Sequence, residues 1–174
     1  ARRDALRHVA PNAAHLALAR LGQALGDDLF LVTQNVDDLH ERGGVKRVLH
    51  MHGELRSALC LACEKRFTWN GTLADHPKCP GCDRKALRPD IVWFGETPYH
   101  MDDILFALSE ADVFCAIGTS SQVYPAAAFV EWAAVRGART IELNLEETGA
   151  SDSFDESRQG RAGDLVPEWV DELL

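Results

Sequence analysis

The first periodic stretch of the chain sets Leu18, Leu21 and Leu25 at the spacing that gathers side chains on one stripe of a helix. Asn12 precedes the stripe as a capping residue and Gly26 follows it as a stop, so the pattern predicts a helix over residues 12–25. Residues 29–33 then form a continuous apolar run of strand length, ending in the polar cluster Gln34-Asn35-Val36-Asp37-Asp38. Such a run suits a buried parallel strand that delivers polar residues to a site. Residues 113–117 repeat the design and empty into Gly118-Thr119-Ser120-Ser121, after which a helix is predicted from Pro125 to about Arg136, stopped by Gly137. Residues 139–143 make a third such strand, ending in Asn144-Leu145-Glu146. The polar, Gly- and Ser-bearing residues 147–163 predict a long surface loop, and residues 165–174 a closing amphipathic helix.

Alternating strands and helices with polar strand ends predict a parallel α/β sheet whose ligands bind beyond the carboxyl ends of the strands. Residues 56–87 break this rhythm with cysteines, glycines and prolines, and read as a small inserted module. The main domain is then residues 1–55 together with 88–174.

Composition narrows the partners. With 46% hydrophobic residues, 174 positions suffice for one ordinary core. A net charge of −9, from 18 basic against 27 acidic residues, argues against nucleic acid, whose phosphates call for clustered Lys and Arg. Basic proteins or peptides fit better. No apolar run reaches the roughly 18 residues that span a membrane, and Ala1-Arg2-Arg3-Asp4 lacks the apolar core of a secretory signal, so the expected location is the cytoplasm. The absence of an initiator Met is consistent with a chain cut from something longer.

Cys60-x-x-Cys63 and Cys79-x-x-Cys82 stand fifteen residues apart, the pattern of paired thiolate turns around one tetrahedral zinc ion. Four thiolates leave no open coordination position, so the zinc is expected to be structural. Disulfides or a redox pair are the alternatives, and a chain without a secretory signal disfavours them. Cys115, inside an apolar strand, reads as a small core residue.

The segment Thr33-Gln34-Asn35-Val36-Asp37-Asp38-Leu39-His40, followed by His50-Met51-His52-Gly53-Glu54-Leu55, resembles the paired signatures of the sirtuin family. Pro89-Asp90-Ile91-Val92-Trp93-Phe94-Gly95-Glu96, Gly118-Thr119-Ser120 and Asn144-Leu145-Glu146 follow in the family's order around the four cysteines. The resemblance implies a Rossmann-like, doubly wound parallel sheet and an NAD-dependent protein-lysine deacylase. It implies that His52 is the catalytic base, and that Gln34, Asn35, Val36 and Asp37 line the nicotinamide and ribose pocket. By the same resemblance Gly118, Thr119 and Ser120 contact NAD phosphate or ribose, Asn144, Leu145 and Glu146 the adenosine end, and Ala162 the adenine. Val92, Gly95 and Glu96 match the segment on which an extended substrate peptide adds as a strand. On the residues alone, His40, His50 and His52 are equal candidates for the base, since each imidazole titrates near neutral pH. Trp93 and Phe94 read as core or tunnel wall, and the acidic group Glu146, Glu147, Asp152, Asp155 and Glu156 as a solvated loop face.

The family's opening strand and its Gly-Ala-Gly-x-Ser loop do not occur among these residues, so the sheet and the NAD site are expected to be partial and residues 1–174 alone to be inactive. Arg2 stands nine residues before Pro11, the spacing from the arginine of a Tyr-x-x-Arg motif in the sirtuin class that removes acidic acyl groups. The resemblance therefore implies a bacterial class III-like enzyme that removes acetyl, and also succinyl or malonyl, groups from lysines of acylated proteins. Its products would be nicotinamide and 2'-O-acyl-ADP-ribose. A truncated pseudoenzyme that binds acyl-lysine peptides, or a zinc-ribbon nucleic-acid binder, would be the alternatives. Charge and the non-cysteine motifs count against the second.

Overall fold

The computed structural model describes residues 2–120 and 123–174, the side chain of Arg2 excepted. A short helix, α1 (Arg2–Ala5), leads to α2 (Ala13–Leu25), where the Asn12 side chain accepts a hydrogen bond from the His15 amide and Gly26, at φ +60°, ends the helix. Strands β1 (Val32–Thr33) and β2 (Leu49–His50) pair in parallel, with α3 (Leu39–Arg42) between them in sequence. β3 (Gly53–Cys60), β4 (Arg66–Thr68) and β5 (Leu87–Ile91) form an antiparallel sheet in the order β4-β3-β5. The chain continues through α4 (Met101–Glu110), β6 (Val113–Ile117), α5 (Phe129–Val135), β7 (Arg139–Asn144), β8 (Glu156–Gln159) and α6 (Ala162–Leu173). β6, β7 and β8 are parallel neighbours.

Two cores flank the parallel strands. Leu18 and Leu21 of α2 pack with Val166, Trp169 and Val170 of α6 against Ile141 and Leu143 of β7. On the other side Ile104 and Leu108 of α4 and Phe129 and Ala133 of α5 pack with Met51, and Val32, Leu49 and Phe114 join them. Helices on both faces of parallel strands make the expected doubly wound arrangement. No described helix is long and apolar enough to cross a membrane.

The structure departs from the sequence-based expectation in four places. The ladder of β1 covers two residues instead of five, because its partner β2 is itself only two residues long; Leu31 adds one bond, its carbonyl accepting from the Leu49 amide. Residues 147–163 are not one loop, since they contain β8. That strand has no apolar residue, and it is held by its ladder to β7 and by ion pairs of Glu156 with Arg139 and Arg158, and of Arg158 with Glu172 of α6. Helix α4 was not foreseen, although Asp102 and Asp103 in its first turn and buried Ile104 and Leu108 mark it. Trp93 and Phe94 are exposed rather than core residues.

β3 begins upstream of the expected module boundary at Arg56, so one unbroken strand ties the cysteine-bearing turns to the segment bearing His52. The buried carboxylate of Asp90 anchors this sheet, accepting from Ser57 Oγ at 2.9 Å, Arg66 Nε at 3.0 Å and Tyr99 OH at 3.0 Å. Three donors offset the desolvation that an unpaired buried carboxylate would suffer. Gly53 is required where β3 meets β5: its φ is +78°, and a Cβ there would lie 2.1 Å from the Asp90 carbonyl oxygen.

Candidate active site at the strand ends

Every proposed NAD contact lies at or just beyond the carboxyl end of a parallel strand. Gln34, Asn35, Val36 and Asp37 follow β1; Gly118, Thr119 and Ser120 follow β6; Asn144, Leu145 and Glu146 close β7; and Ala162 opens α6 after β8. Hydrogen bonds draw the last three groups together. Asn144 Nδ2 donates to the Thr119 carbonyl at 2.6 Å, and the Gly160 amide to the Asn144 carbonyl at 2.8 Å. Gly118, at φ +61° with open space where a Cβ would stand, leaves the backbone free for close approach by a ligand. Ser121 lies outside the described residues.

The segment after β1 is pinned separately. The Asn35 amide donates to Thr33 Oγ1 at 3.1 Å, the Leu55 amide to the Val36 carbonyl at 2.7 Å, and the Leu39 amide to Asp37 Oδ1 at 3.1 Å. Among the described residues no strand ladder joins β1–β2 to β6–β7–β8. The two groups are instead held by the shared cores, in which Leu31 and Ile117 pack on one side and Val32 and Phe114 on the other.

The three histidines have different surroundings. His52 Nδ1 lies 3.2 Å from the Gln34 carbonyl oxygen. A carbonyl only accepts, so this nitrogen carries the proton and Nε2 of the neutral ring keeps its lone pair. Both nitrogens of buried His50 face acceptors: Nδ1 the Asn35 carbonyl at 3.2 Å, Nε2 the Glu41 carboxylate at 2.7 Å. Burial works to lower its pKa, but the Glu41 hydrogen bond and charge, the Asn35 carbonyl and the charge of Glu54 raise it overall. His40 is shifted down by burial and by His15, whose ring centroid stands 4.7 Å away, and its Nδ1 makes no hydrogen bond among the described residues. Among the described residues, His52 alone of the three combines a tautomer fixed by one acceptor with a second ring nitrogen that has no hydrogen-bond partner.

Residues 92–96 leave β5 as a tight turn beside His52. The Val92 amide donates to the His52 carbonyl at 2.9 Å and the Glu96 amide to the Trp93 carbonyl at 2.9 Å. The Glu96 carboxylate is gripped by Arg88 at 2.6 and 2.7 Å and accepts from the Trp93 amide at 3.0 Å, which holds its pKa down at about 2. Its side chain thus shapes the turn, leaving Gly95, at φ +89°, and the exposed Trp93 and Phe94 on the outside.

Cys60, Cys63, Cys79 and Cys82 lie with their sulfurs within 4.8 Å of one another, and none forms a disulfide. The Cys60–Cys82 and Cys63–Cys79 separations are both 3.7 Å. Zinc–sulfur bonds of about 2.3 Å place tetrahedral sulfurs roughly 3.8 Å apart, so the cluster has the dimensions of a four-thiolate site. A disulfide would need about 2.0 Å. Burial pushes the Cys60 thiol up, but the amides of Ala62 and Cys63 and the neighbouring sulfurs bring it down to about 6. Cys115 is unrelated to the cluster; desolvation pushes its thiol up to about 12.

Sequence reasoning missed the residues that support the site. Glu41 pairs with His50, and Arg88 holds Glu96. Fully buried Glu142 accepts from Thr148, Ser151 and Ser157 hydroxyls at 2.7, 2.5 and 2.8 Å, which fixes the loop after Asn144. A charged residue between Ile141 and Leu143 in an apolar strand was the available signal for the last. The side chain of Arg2 lies outside the described residues.

Comparison with known proteins agrees with the geometry. Over its whole length the chain is 52% identical to an NAD-dependent protein deacylase of Salmonella typhimurium, and it spans 65%, just under two thirds, of that relative. A solved Sir2 homologue mutant bound to ADP-ribose superposes with a TM-score of 0.91 at 39% identity, over 99% of this chain and 70% of that one. A Sir2 homologue–NAD complex gives 0.88 at 39% identity, over 97% of this chain and 66% of that one. Residues 1–125 match the model of the Sir2 family, and with the strand-end site and the four-sulfur cluster in place, this chain belongs to that family.

Proposed function

We propose that this chain carries the reacting groups of an NAD-dependent protein-lysine deacylase. The observation that carries the reading is the His52–Gln34 hydrogen bond, which leaves a basic imidazole nitrogen among residues at the strand ends. The deacylase relative and the Sir2 homologue–NAD complex support the choice of cofactor and reaction. When bound, NAD supplies an activated ribose carbon that accepts the acyl oxygen as nicotinamide departs.

In this reading His52 Nε2 takes the proton of a ribose hydroxyl, whose oxygen then bonds to the acyl carbon; the lysine amine leaves with a proton, and a water molecule supplies the oxygen that completes the ester on ADP-ribose. Gln34, Asn35, Val36 and Asp37 hold the nicotinamide ribose, and the Asp37 carboxylate has acceptor capacity to spare for a carboxamide N–H. The open backbone at Gly118, with Thr119 and Ser120, takes phosphate or ribose, while Asn144, Leu145, Glu146 and Ala162 take the adenosine end. An acyl-lysine peptide adds along Val92 and Gly95, with Glu96 contributing its backbone because Arg88 occupies its carboxylate. Arg2 pairs with the carboxylate of a succinyl or malonyl group. Residues 56–87 form the zinc module, whose four thiolates hold a structural ion. Free thiols suit a reducing compartment, and the cytoplasm is the proposed location.

No Gly-Ala-Gly-x-Ser phosphate loop occurs in residues 1–174, so these residues by themselves are proposed to be inactive. The test compares nicotinamide release and calorimetric NAD binding for residues 1–174 and for the full-length protein, each with an acyl-lysine peptide. Turnover by the full-length protein supports the reading. Peptide binding without nicotinamide release by the full-length protein overturns it in favour of a peptide-binding pseudoenzyme.

A further inference from the structure

His50 sits on β2 two residues before His52, and the two imidazoles grip successive carbonyls of one segment: His52 that of Gln34, His50 that of Asn35. Their chemistry differs. His52 has one acceptor, which a neutral ring satisfies. Facing a carbonyl with one nitrogen and a carboxylate with the other, His50 satisfies both only by donating twice, and only the imidazolium has two N–H groups. The groups that bear on its charge come from both flanking elements: Glu41 and His40 from α3, and Glu54 from β3. Two carboxylates outweigh one neutral-leaning imidazole, and the buried ring has a partner for each proton. A charge-assisted N–H···O bond is roughly twice as strong as a neutral one. Among the described residues Asn35 is otherwise held through its amide, by Thr33 Oγ1.

We infer that His50, kept as an imidazolium by Glu41, is a positioning residue that clamps the Asn35 carbonyl and so sets the pose in which the Asn35 side chain faces the site. This rests on the reading that residues 34–37 line the NAD site. It also separates the two neighbouring histidines by role: His50, donating from both nitrogens, positions, and His52, donating from one, reacts.

Asparagine and glutamine each reproduce one imidazole nitrogen as a donor, at the Nδ1 and Nε2 positions respectively. His50→Asn therefore keeps the donor to Asn35 and loses the one to Glu41, and His50→Gln does the reverse. In the full-length enzyme we expect His50→Asn to retain kcat for nicotinamide release within about threefold, and His50→Gln to lose roughly tenfold or more in kcat, with KM for the acyl peptide unchanged in both. Equal losses, or a greater loss in His50→Asn, would overturn the clamp, because a role in packing or in pairing with Glu41 predicts them. Nitrogen-15 NMR of the ring gives a readout independent of activity. Wild-type His50 should carry two protons at neutral pH and become neutral in Glu41→Gln, with the Asn35–Val36 amide signal shifting as the bond weakens. A neutral wild-type ring would contradict the inference even if His50→Gln failed to fold. Inactivity of the wild type with every acyl peptide would instead contradict the deacylase reading and leave the NMR result to decide the clamp.

Discussion

His52 and Gln34 are joined through Nδ1 and a main-chain carbonyl at 3.2 Å, so the residue proposed to take the proton is oriented by the backbone of a residue proposed to hold the cofactor. The same bond chooses the tautomer that leaves Nε2 basic. His52→Ala should lower acyl transfer by about 10²–10⁴-fold, the usual worth of a positioned general base, with zinc content and melting temperature nearly unchanged. His52→Asn, which keeps a donor toward Gln34, should be equally inactive. Turnover and thermal denaturation measured on the same preparations check this; an active, folded alanine variant would move the role elsewhere.

The four-sulfur cluster should hold one zinc ion per chain. Structural zinc contributes roughly 10–16 kcal/mol in small zinc peptides, more than the short strands and small core of this module supply without it. Chelation should therefore unfold residues 56–87, and Cys79→Ser, which removes a buried ligand, should abolish stoichiometric binding. Metal analysis with hydrogen exchange reads both effects. A well-folded protein with substoichiometric zinc would contradict the assignment.

Gly53→Ala should destabilise the protein by about 1–3 kcal/mol from the left-handed backbone alone, with a further cost from the overlap with the Asp90 carbonyl. The substitution also pushes apart the β3–β5 contact that seats Val92 on the His52 carbonyl, so activity should fall with stability. Melting temperature and kcat measured together would reveal it. An alanine variant of wild-type stability would show that the strands meet differently there.

Arg2→Met should reduce kcat/KM for succinyl- or malonyl-lysine by about ten- to a hundredfold, the value of a hydrogen bond to a charged group, and spare acetyl-lysine. The comparison belongs in the full-length enzyme, with both peptides assayed side by side. Equal losses on both would assign Arg2 a general structural role.

Much of what apolar runs build was legible in the sequence, although the β1 ladder is shorter than its run and α4 was missed. β6 matches its expected bounds, α2 starts and stops at Asn12 and Gly26, and the cysteine spacing anticipates the four-sulfur cluster. β8 was not legible, because Glu156–Gln159 forms no apolar stripe and its alternation serves polar partners, Ser157 toward Glu142 and Arg158 toward Glu172. The choice among His40, His50 and His52 was also invisible from residue type. It depends on what faces each ring nitrogen, and those acceptors come from α3 and from the backbone after β1, neither of which the spacing of the histidines encodes. Glu96 shows the same limit: its motif position was visible, but its commitment to Arg88 came from an eight-residue separation across the end of β5.

Mass spectrometry of a single reaction of full-length protein, NAD and a succinyl-lysine or acetyl-lysine peptide tests the central claim most directly. The account predicts one nicotinamide and one 2'-O-acyl-ADP-ribose for each lysine freed, all three lost together when His52 is replaced. Lysine freed without consumption of NAD, or NAD consumed without transfer of the acyl group to ADP-ribose, would contradict it.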